Sequence, residues 1–469
     1  MRVPHLLALL VAAAPLACAA APADQLPRGV AAALEQAGVP ESQVGAYVHD
    51  LSADQPVLEV AADRAMNPAS VMKLVTTLAG LEILGPSYTW KTEAWLDGPV
   101  EGDRLDGNLV LKGYGDPKFN LESLMLFVRD LRNRGLREIN GDLVLDRSFF
   151  SVDAHDPAGF DNEPTRPYNV GPDALLINFK SFRLQFIPEL DKGSVRIYPE
   201  PSLPQVTVVN RLKLAPGLCE SWPDKPAVSG NTLTFSGSFA SSCGEKARYF
   251  SLTSPNEYAA TLFRQFWLQS GGSWTGNVRE APLPFTARLF ASWESQPLSE
   301  IIRDVNKYSI NVMARQVYLT MGARESSAPG TLAKAERAVR DWLARRGLDF
   351  PEMVIDNGAG LSRTGRISPR HLGQLLSAAW RSPLMPEFVA SLPLTAVDGT
   401  MRRRLANSSA AGQAHIKTGY LEGVRAIAGY VLDSRGRTLA VVLVINHPSA
   451  RNAQAAQDAF LEWAQSSPQ

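Results

Sequence analysis

The sequence predicts an α/β (α+β) protein in which both ends of the chain meet in one sheet and the middle of the chain is inserted material. Three observations lead there. Residues 44–50 and 56–61 read as strands around the polar turn Ser52-Ala53-Asp54-Gln55, and residues 423–433 and 437–446 read as a hairpin turning at Ser434-Arg435-Gly436. The run 70–84 is apolar nearly all round, with Val71, Met72, Leu74, Val75, Leu78, Leu81 and Ile83, which places a helix in a core rather than on a surface. Between about 92 and 289 the chain turns to Gly- and Pro-rich short alternating segments, such as 108–111, 142–145, 194–211 and 231–239, so the middle is β-rich.

The remaining elements follow in order. Asn67 can cap the helix at 70–84, Pro68 suits its first turn, and Gly85-Pro86 ends it. Helices at 121–135 and 256–270 interrupt the β-rich stretch. From about 293 helical periodicity returns at 299–305, 311–321, 331–347 and 452–464.

A chain of 469 residues, 45% of them hydrophobic, can bury more core than one domain usually holds, so two or three domains are expected. Lys+Arg and Asp+Glu both number 47, so no bulk charge draws the protein to nucleic acid or to an anionic membrane. Arg2, the short apolar run 6–16 and Ala17-Cys18-Ala19 read as a signal peptide over 1–19, cleaved after Ala19. Acylation of Cys18 is the alternative, and Pro15 stands against it. No later segment is long and apolar enough to be a membrane helix. Cys219 and Cys243 remain after cleavage. An oxidising compartment favours a disulfide between them, with two free buried thiols as the other reading. Two cysteines without nearby paired histidines make no zinc pattern, and no metal or cofactor is expected.

Three short motifs carry the chemistry. In Ser70-Val71-Met72-Lys73, helical spacing puts Ser70 and Lys73 on one face, one turn apart. A serine hydroxyl needs a base, and a lysine serves only if burial or a neighbouring cation lowers its pKa. The apolar helix offers burial, and the first turn favours developing negative charge at Ser70. Alone the motif is weak, because Ser-x-x-Lys occurs about once by chance in a chain of this length. In Ser309-Ile310-Asn311, Ser309 can relay a proton to a leaving amine and Asn311 can bind amide groups. Either residue could instead simply cap the helix that follows. In Lys417-Thr418-Gly419, followed by Tyr420, the lysine and threonine can hold a terminal carboxylate, Gly419 permits close approach of substrate backbone, and Lys417 can depress the pKa of Lys73. Lys-Thr-Gly is expected by chance only about 0.1 times in such a chain. His155, His371, His415 and His447 lack the context of a catalytic base and read as structural or exposed.

Order and spacing together resemble the active-site serine penicillin-recognising enzymes, with Ile310 where the second motif usually has Asp. Lys73 and Ser309 stand 236 residues apart (309 − 73), and this long gap is similar to that of the class C low-molecular-mass penicillin-binding proteins. Further matching stretches are 111–117, 168–172, 356–363 and 423–430. The resemblance implies a β-lactamase/transpeptidase-like domain, its antiparallel sheet flanked by helices, with two β-rich inserted domains. The implied division is 20–91 with 290–469, then 92–166 with 248–289, then 167–247. The implied activity is that of a D-alanyl-D-alanine carboxypeptidase/endopeptidase acting on peptidoglycan stems and cross-links in the periplasm, inhibited by β-lactams. Within it Ser70 attacks, Lys73 is the base, and the N–H groups of Ser70 and Tyr420 form the oxyanion hole. Lys417, Thr418 and Arg363 would recognise the carboxylate end. Asp156 matches an inserted-domain acid facing the substrate's diamino-acid side chain, with a solvated loop acid as the other reading, and Glu422 matches a position near the cleft that is Gln in a relative, where an acid adds negative charge and can shift side-chain preference. The alternatives are a β-lactamase or esterase on the same fold, or a wall-binding scaffold that has lost catalysis.

Overall fold

The computed structural model describes residues 22–466, so the predicted leader 1–19 and Cys18 lie outside the described residues. The two ends of the chain do share one sheet. Its five strands run in the order Ala414–Leu421, Val424–Leu432, Thr438–Asn446, Val44–Asp50, Pro56–Val60, every neighbour antiparallel.

Residues 438–446 read Thr-Leu-Ala-Val-Val-Leu-Val-Ile-Asn and are buried at every interior position, as a strand covered on both faces must be. Successive side chains alternate between faces. Ala440, Val442 and Val444 pack with the helices Lys73–Leu84, Leu298–Lys307, Asn311–Ser326, Leu332–Arg345 and Pro369–Trp380. Leu439, Val441, Leu443 and Ile445 pack with Arg28–Gln36 and Gln454–Gln465. The molecule is thus a mixed α/β structure with its antiparallel sheet flanked by helices, and each helical layer draws on both ends of the chain.

Between them the chain builds a separate hydrophobic cluster reaching from Ala94 to Ala291. It holds a five-stranded mixed sheet, in the order Val278–Glu280, Leu143–Asp146, Asn108–Gly113, Lys91–Asp97, Arg288–Glu294, a four-stranded sheet of two-residue strands, in the order Ser273–Trp274, Glu138–Ile139, Arg104–Leu105, Val100–Glu101, and two three-stranded sheets formed from strands between Phe182 and Phe250. Helices Leu121–Asn133 and Pro255–Gln269 pack in the same cluster. The stretch expected to alternate over 194–211 is two strands, Ser194–Glu200 and Thr207–Ala215, parted around Pro201 and Pro204, whose missing N–H groups cannot join a ladder. Cys219 and Cys243 form a disulfide. Among the described residues, no helix is long and apolar enough to cross a membrane.

Candidate active site

The helix expected over 70–84 begins differently from its reading. A 3₁₀ turn, Ala69–Met72, precedes the α-helix Lys73–Leu84, and Ala69 takes a positive φ of 46°. Asn67 organises this entry rather than capping the helix. Its side chain accepts from Ala69 N (2.9 Å) and donates to the Ser362 carbonyl (2.9 Å). Asn446, at the end of the central strand, exchanges two hydrogen bonds with the Asn67 backbone. The turn carrying Ser70 is therefore tied both to the sheet and to the 356–363 loop.

Two glycines allow that convergence. A Cβ at Gly419 would stand 2.5 Å from the Pro68 carbonyl oxygen and 3.2 Å from Ser70 N, so the edge strand can lie against the Ser70 turn only because residue 419 has no side chain. The close approach assigned to substrate is thus made first by the protein's own backbone. At Gly360 the same atom would meet the Ala69 carbonyl oxygen at 1.9 Å.

Lys73 has 0% exposure. Its Nζ lies 2.9 Å from Ser70 Oγ, 2.7 Å from Asn311 Oδ1 and 2.6 Å from the Ala359 carbonyl oxygen. Burial, then the charges of Lys417 and Arg315, hold its pKa well below the usual lysine range. Lys417, also 0% exposed, places Nζ 2.9 Å from Ser309 Oγ and donates to the Thr418 carbonyl (2.8 Å), and burial brings its pKa to about 7. Neither Ser309 nor Asn311 caps a helix: the N-cap of Asn311–Ser326 is Ile310, with no side-chain cap bond. Ser309 instead sits at φ 58°, a conformation unusual for serine that turns up where function over-determines the backbone. Two chains of contact result, Ser70–Lys73–Asn311 and Ser309–Lys417, and the Gly419 approach brings the strand of the second against the turn of the first.

The rest of the predicted set lies around them. Thr418 Oγ1 donates to Thr400 Oγ1 (2.8 Å), and Tyr420 is exposed beneath the Arg425 guanidinium, 5.2 Å from its ring centroid. Arg363 stands at the rim, donating to the Glu422 carbonyl (3.3 Å), 3.7 Å from the Glu422 carboxylate, and 4.5 Å from the centroid of the Phe160 ring. Asp156 accepts from Ala158 N within its own turn and lines a cavity of about 270 Å³ with Arg315, Asp356 and Asn357. His155 bonds the Asn169 carbonyl, His371 pairs with Glu352, and His447 accepts from Ser449 N.

Several contributors had no motif to betray them. Phe160 reaches over from the middle of the chain to pack on Ala69, Leu361, Leu421 and Val424. Helix Asn311–Ser326 grips the same insertion: Asn311 Nδ2 donates to the Tyr168 carbonyl (3.1 Å), Arg315 to that of Val170 (3.0 Å) and Gln316 to that of Asp173 (2.7 Å). Arg315 had a sequence signal, being four residues beyond Asn311 on the same helical face.

The arrangement sets one hydroxyl beside a buried amine whose pKa is lowered and a second hydroxyl beside another buried amine, groups from which an acyl-transfer centre can be built. The chain is 25% identical over 411 residues to the D-alanyl-D-alanine carboxypeptidase DacB of Haemophilus influenzae, covering 86% of this chain and 85% of that one. It is 26% identical over 460 residues to the D-alanyl-D-alanine carboxypeptidase of Actinomadura sp. (strain R39), covering 93% and 84%. Its fold matches the crystal structure of penicillin binding protein 4 (dacB) from Haemophilus influenzae with a TM-score of 0.76, at 24% identity over 92% of this chain and 99% of that one. That relative has also been crystallised in complex with a β-lactam. The family model described as D-Ala-D-Ala carboxypeptidase 3 (S13) matches residues 26–467, and the chain belongs to that family of serine peptidases.

Proposed function

We propose that this protein is a serine-type D-alanyl-D-alanine carboxypeptidase with DD-endopeptidase activity, cleaving peptidoglycan stems and cross-links through a Ser70 acyl-enzyme. The observation that carries the reading is the buried Lys73 amine 2.9 Å from Ser70 Oγ, its pKa held well below the usual lysine range by burial. Lys73 takes the hydroxyl proton as Oγ bonds to the carbonyl carbon between the two D-alanines. The tetrahedral oxyanion is met by the N–H groups of Ser70 and Tyr420. Collapse breaks the C–N bond, and the leaving amine receives its proton through Ser309, whose Oγ contacts Lys417. Water then attacks the ester carbonyl, and Oγ recovers its proton. Lys417 and Thr418 take the substrate's terminal carboxylate, Asn311 and Gly419 align its backbone, and Asp156 and Glu422 serve the substrate's side chains.

β-Lactams act on the same residue as inhibitors. Residues 1–19 direct export to the periplasm. The chain divides into a catalytic unit, 20–91 with 290–469, and inserted units at 92–166 with 248–289 and at 167–247; the separate cluster from Ala94 to Ala291 supports the first of these divisions.

The test is digestion of a monomeric stem pentapeptide and of a cross-linked dimer. Release of D-alanine from the first and splitting of the second are expected, and Ser70→Ala abolishes both. D-Alanine release that survives Ser70→Ala contradicts the proposal. Rapid, repeated penicillin turnover would favour the β-lactamase alternative.

A further inference from the structure

Helix Leu298–Lys307 ends two residues before Ser309, which stands at φ 58° with its Oγ 2.9 Å from Lys417 Nζ. Tyr308, between them, is exposed, so its side chain gives the turn no interior anchor. Lys307 is turned inward instead. It is buried, and its Nζ donates to the Leu392 carbonyl (2.9 Å) and to Asp398 Oδ2 (2.6 Å). A lysine is hidden in this way almost only when paired, and here the pair joins two separate pieces of the site.

The second piece is the segment 392–400, whose other edge is bound to the strand that carries Lys417 and Thr418. Ile416 N donates to the Pro393 carbonyl (2.7 Å), Thr395 N donates to that of Ala414 (3.0 Å), and Thr418 Oγ1 donates to Thr400 Oγ1 (2.8 Å). Asp398 Oδ1 accepts from Leu394 N (2.9 Å), so one carboxylate both closes the segment on itself and holds Lys307. Burial raises the pKa of Asp398, but the bonds from Lys307 and Leu394 N outweigh it and keep the carboxyl below its usual range. Gly399, at φ 56°, lets the segment lie on the helix end: a Cβ there would stand 2.6 Å from the Lys307 carbonyl oxygen. The segment is thus a strap, with one edge on the strand of Lys417 and the other on the helix end that leads to Ser309.

We propose that Lys307 and Asp398 are positioning residues, whose buried ion pair fixes the Ser309 turn against the Lys417 strand and so keeps the Ser309 hydroxyl aligned to pass a proton to the leaving amine. The proposal rests on the Ser70 reading and adds what holds its proton relay in place. Both residues act through the strap and the helix end. Without the pair the Ser309 turn can draw away from the strand, and a small misplacement of a proton donor costs rate rather than binding.

Two substrates with the same acyl part and the same terminal carboxylate test it in the full chain, one an amide and the other a thioester, whose thiolate leaves without needing a proton. The ratio of their rates is the readout, since loss of folded protein lowers both alike. Ser309→Ala is the reference, expected to slow the amide far more than the thioester. Asp398→Asn keeps an acceptor for Leu394 N and removes the charge. It is expected to lower the amide rate about tenfold, through kcat rather than KM, and the thioester rate by no more than about twofold. Gly399→Ala, which pushes the strap off the helix end, is expected to give the same selective loss and serves if Asp398→Asn does not fold. Lys307→Arg, which can keep the pair, is expected to retain most of the amide rate that Lys307→Met loses. Equal losses on both substrates, or none, in Asp398→Asn and Gly399→Ala overturn the proposal and leave the Ser70 reading intact. An amide rate spared by Ser309→Ala overturns the relay and the proposal together. Failure of the unmodified protein to cleave either substrate overturns the Ser70 reading and the proposal with it.

Discussion

In the proposed mechanism two lysines have opposite duties, and burial lowers the pKa of both. Lys73 has to be neutral to take a proton, so acylation rises as pH climbs through its depressed pKa. Lys417 has to be charged to hold a carboxylate, so kcat/KM falls as pH rises through about 7. A bound carboxylate favours the charged form of Lys417, so the falling limb of kcat should stand at higher pH than that of kcat/KM. Paired pH profiles on a soluble peptide check this, and a kcat/KM that climbs without a break to pH 9 would contradict it. Gly419 offers a second test at this scale. Gly419→Ala puts a carbon 2.5 Å from the Pro68 carbonyl oxygen and pushes the edge strand off the Ser70 turn. The expected result is a loss of about 100-fold in the penicillin acylation rate. The motif residues themselves were legible because the chemistry demands those types at those spacings. Phe160 was not, since a phenylalanine in a loop says nothing about which distant surface it will cover. Gly419 was legible in kind, as a point of close approach, but the partner could only be seen in three dimensions.

Elements were legible in proportion to their periodicity. The strand expected over 437–446 and the helix expected over 452–464 appear as Thr438–Asn446 and Gln454–Gln465, because a sandwiched strand and an amphipathic terminal helix both leave strong patterns. Arg28–Gln36 was missed, since it buries only Val30 and Leu34 in an alanine-rich stretch. Pro369–Trp380 was missed although Ser368-Pro369 is a readable start, and Ser368 does accept from His371 N. The 3₁₀ opening at Ala69–Met72 could not be foreseen, because the contacts of Asn67 with Ser362 and Asn446 impose it from far along the chain. The best-formed cap lies away from the chemistry. Ser254 and Glu257 make a reciprocal capping box at the start of Pro255–Gln269. Ser254→Ala should cost about 1 kcal/mol in chemical denaturation and leave the rate of penicillin acylation unchanged.

At the scale of the molecule, the chain leaves the sheet after Pro56–Val60 and its helix Lys73–Leu84, builds a second hydrophobic cluster, and returns through Leu298–Lys307 to bring Ser309 to Lys417 and Asn311 to Lys73. The switch from apolar helix to short alternating strands made that detour visible in the sequence. How it touches the centre was not visible, because the grip of Asn311, Arg315 and Gln316 on 168–173 is made to backbone carbonyls, which carry no residue signature. The Cys219–Cys243 bond sits in the inserted part, closing a separation of 24 residues. Reduction should lower stability by about 3 kcal/mol while Ser70 keeps its acylation rate, measured by denaturation and by labelled penicillin in parallel.

The central claim is that Ser70 is the residue that becomes acylated. Peptide-level mass spectrometry after brief exposure to penicillin tests it most directly. One penicilloyl adduct on the peptide containing Ser70, absent in Ser70→Ala, is the predicted result. An adduct on another residue, or release of D-alanine by a protein that never acquires one at Ser70, would contradict it.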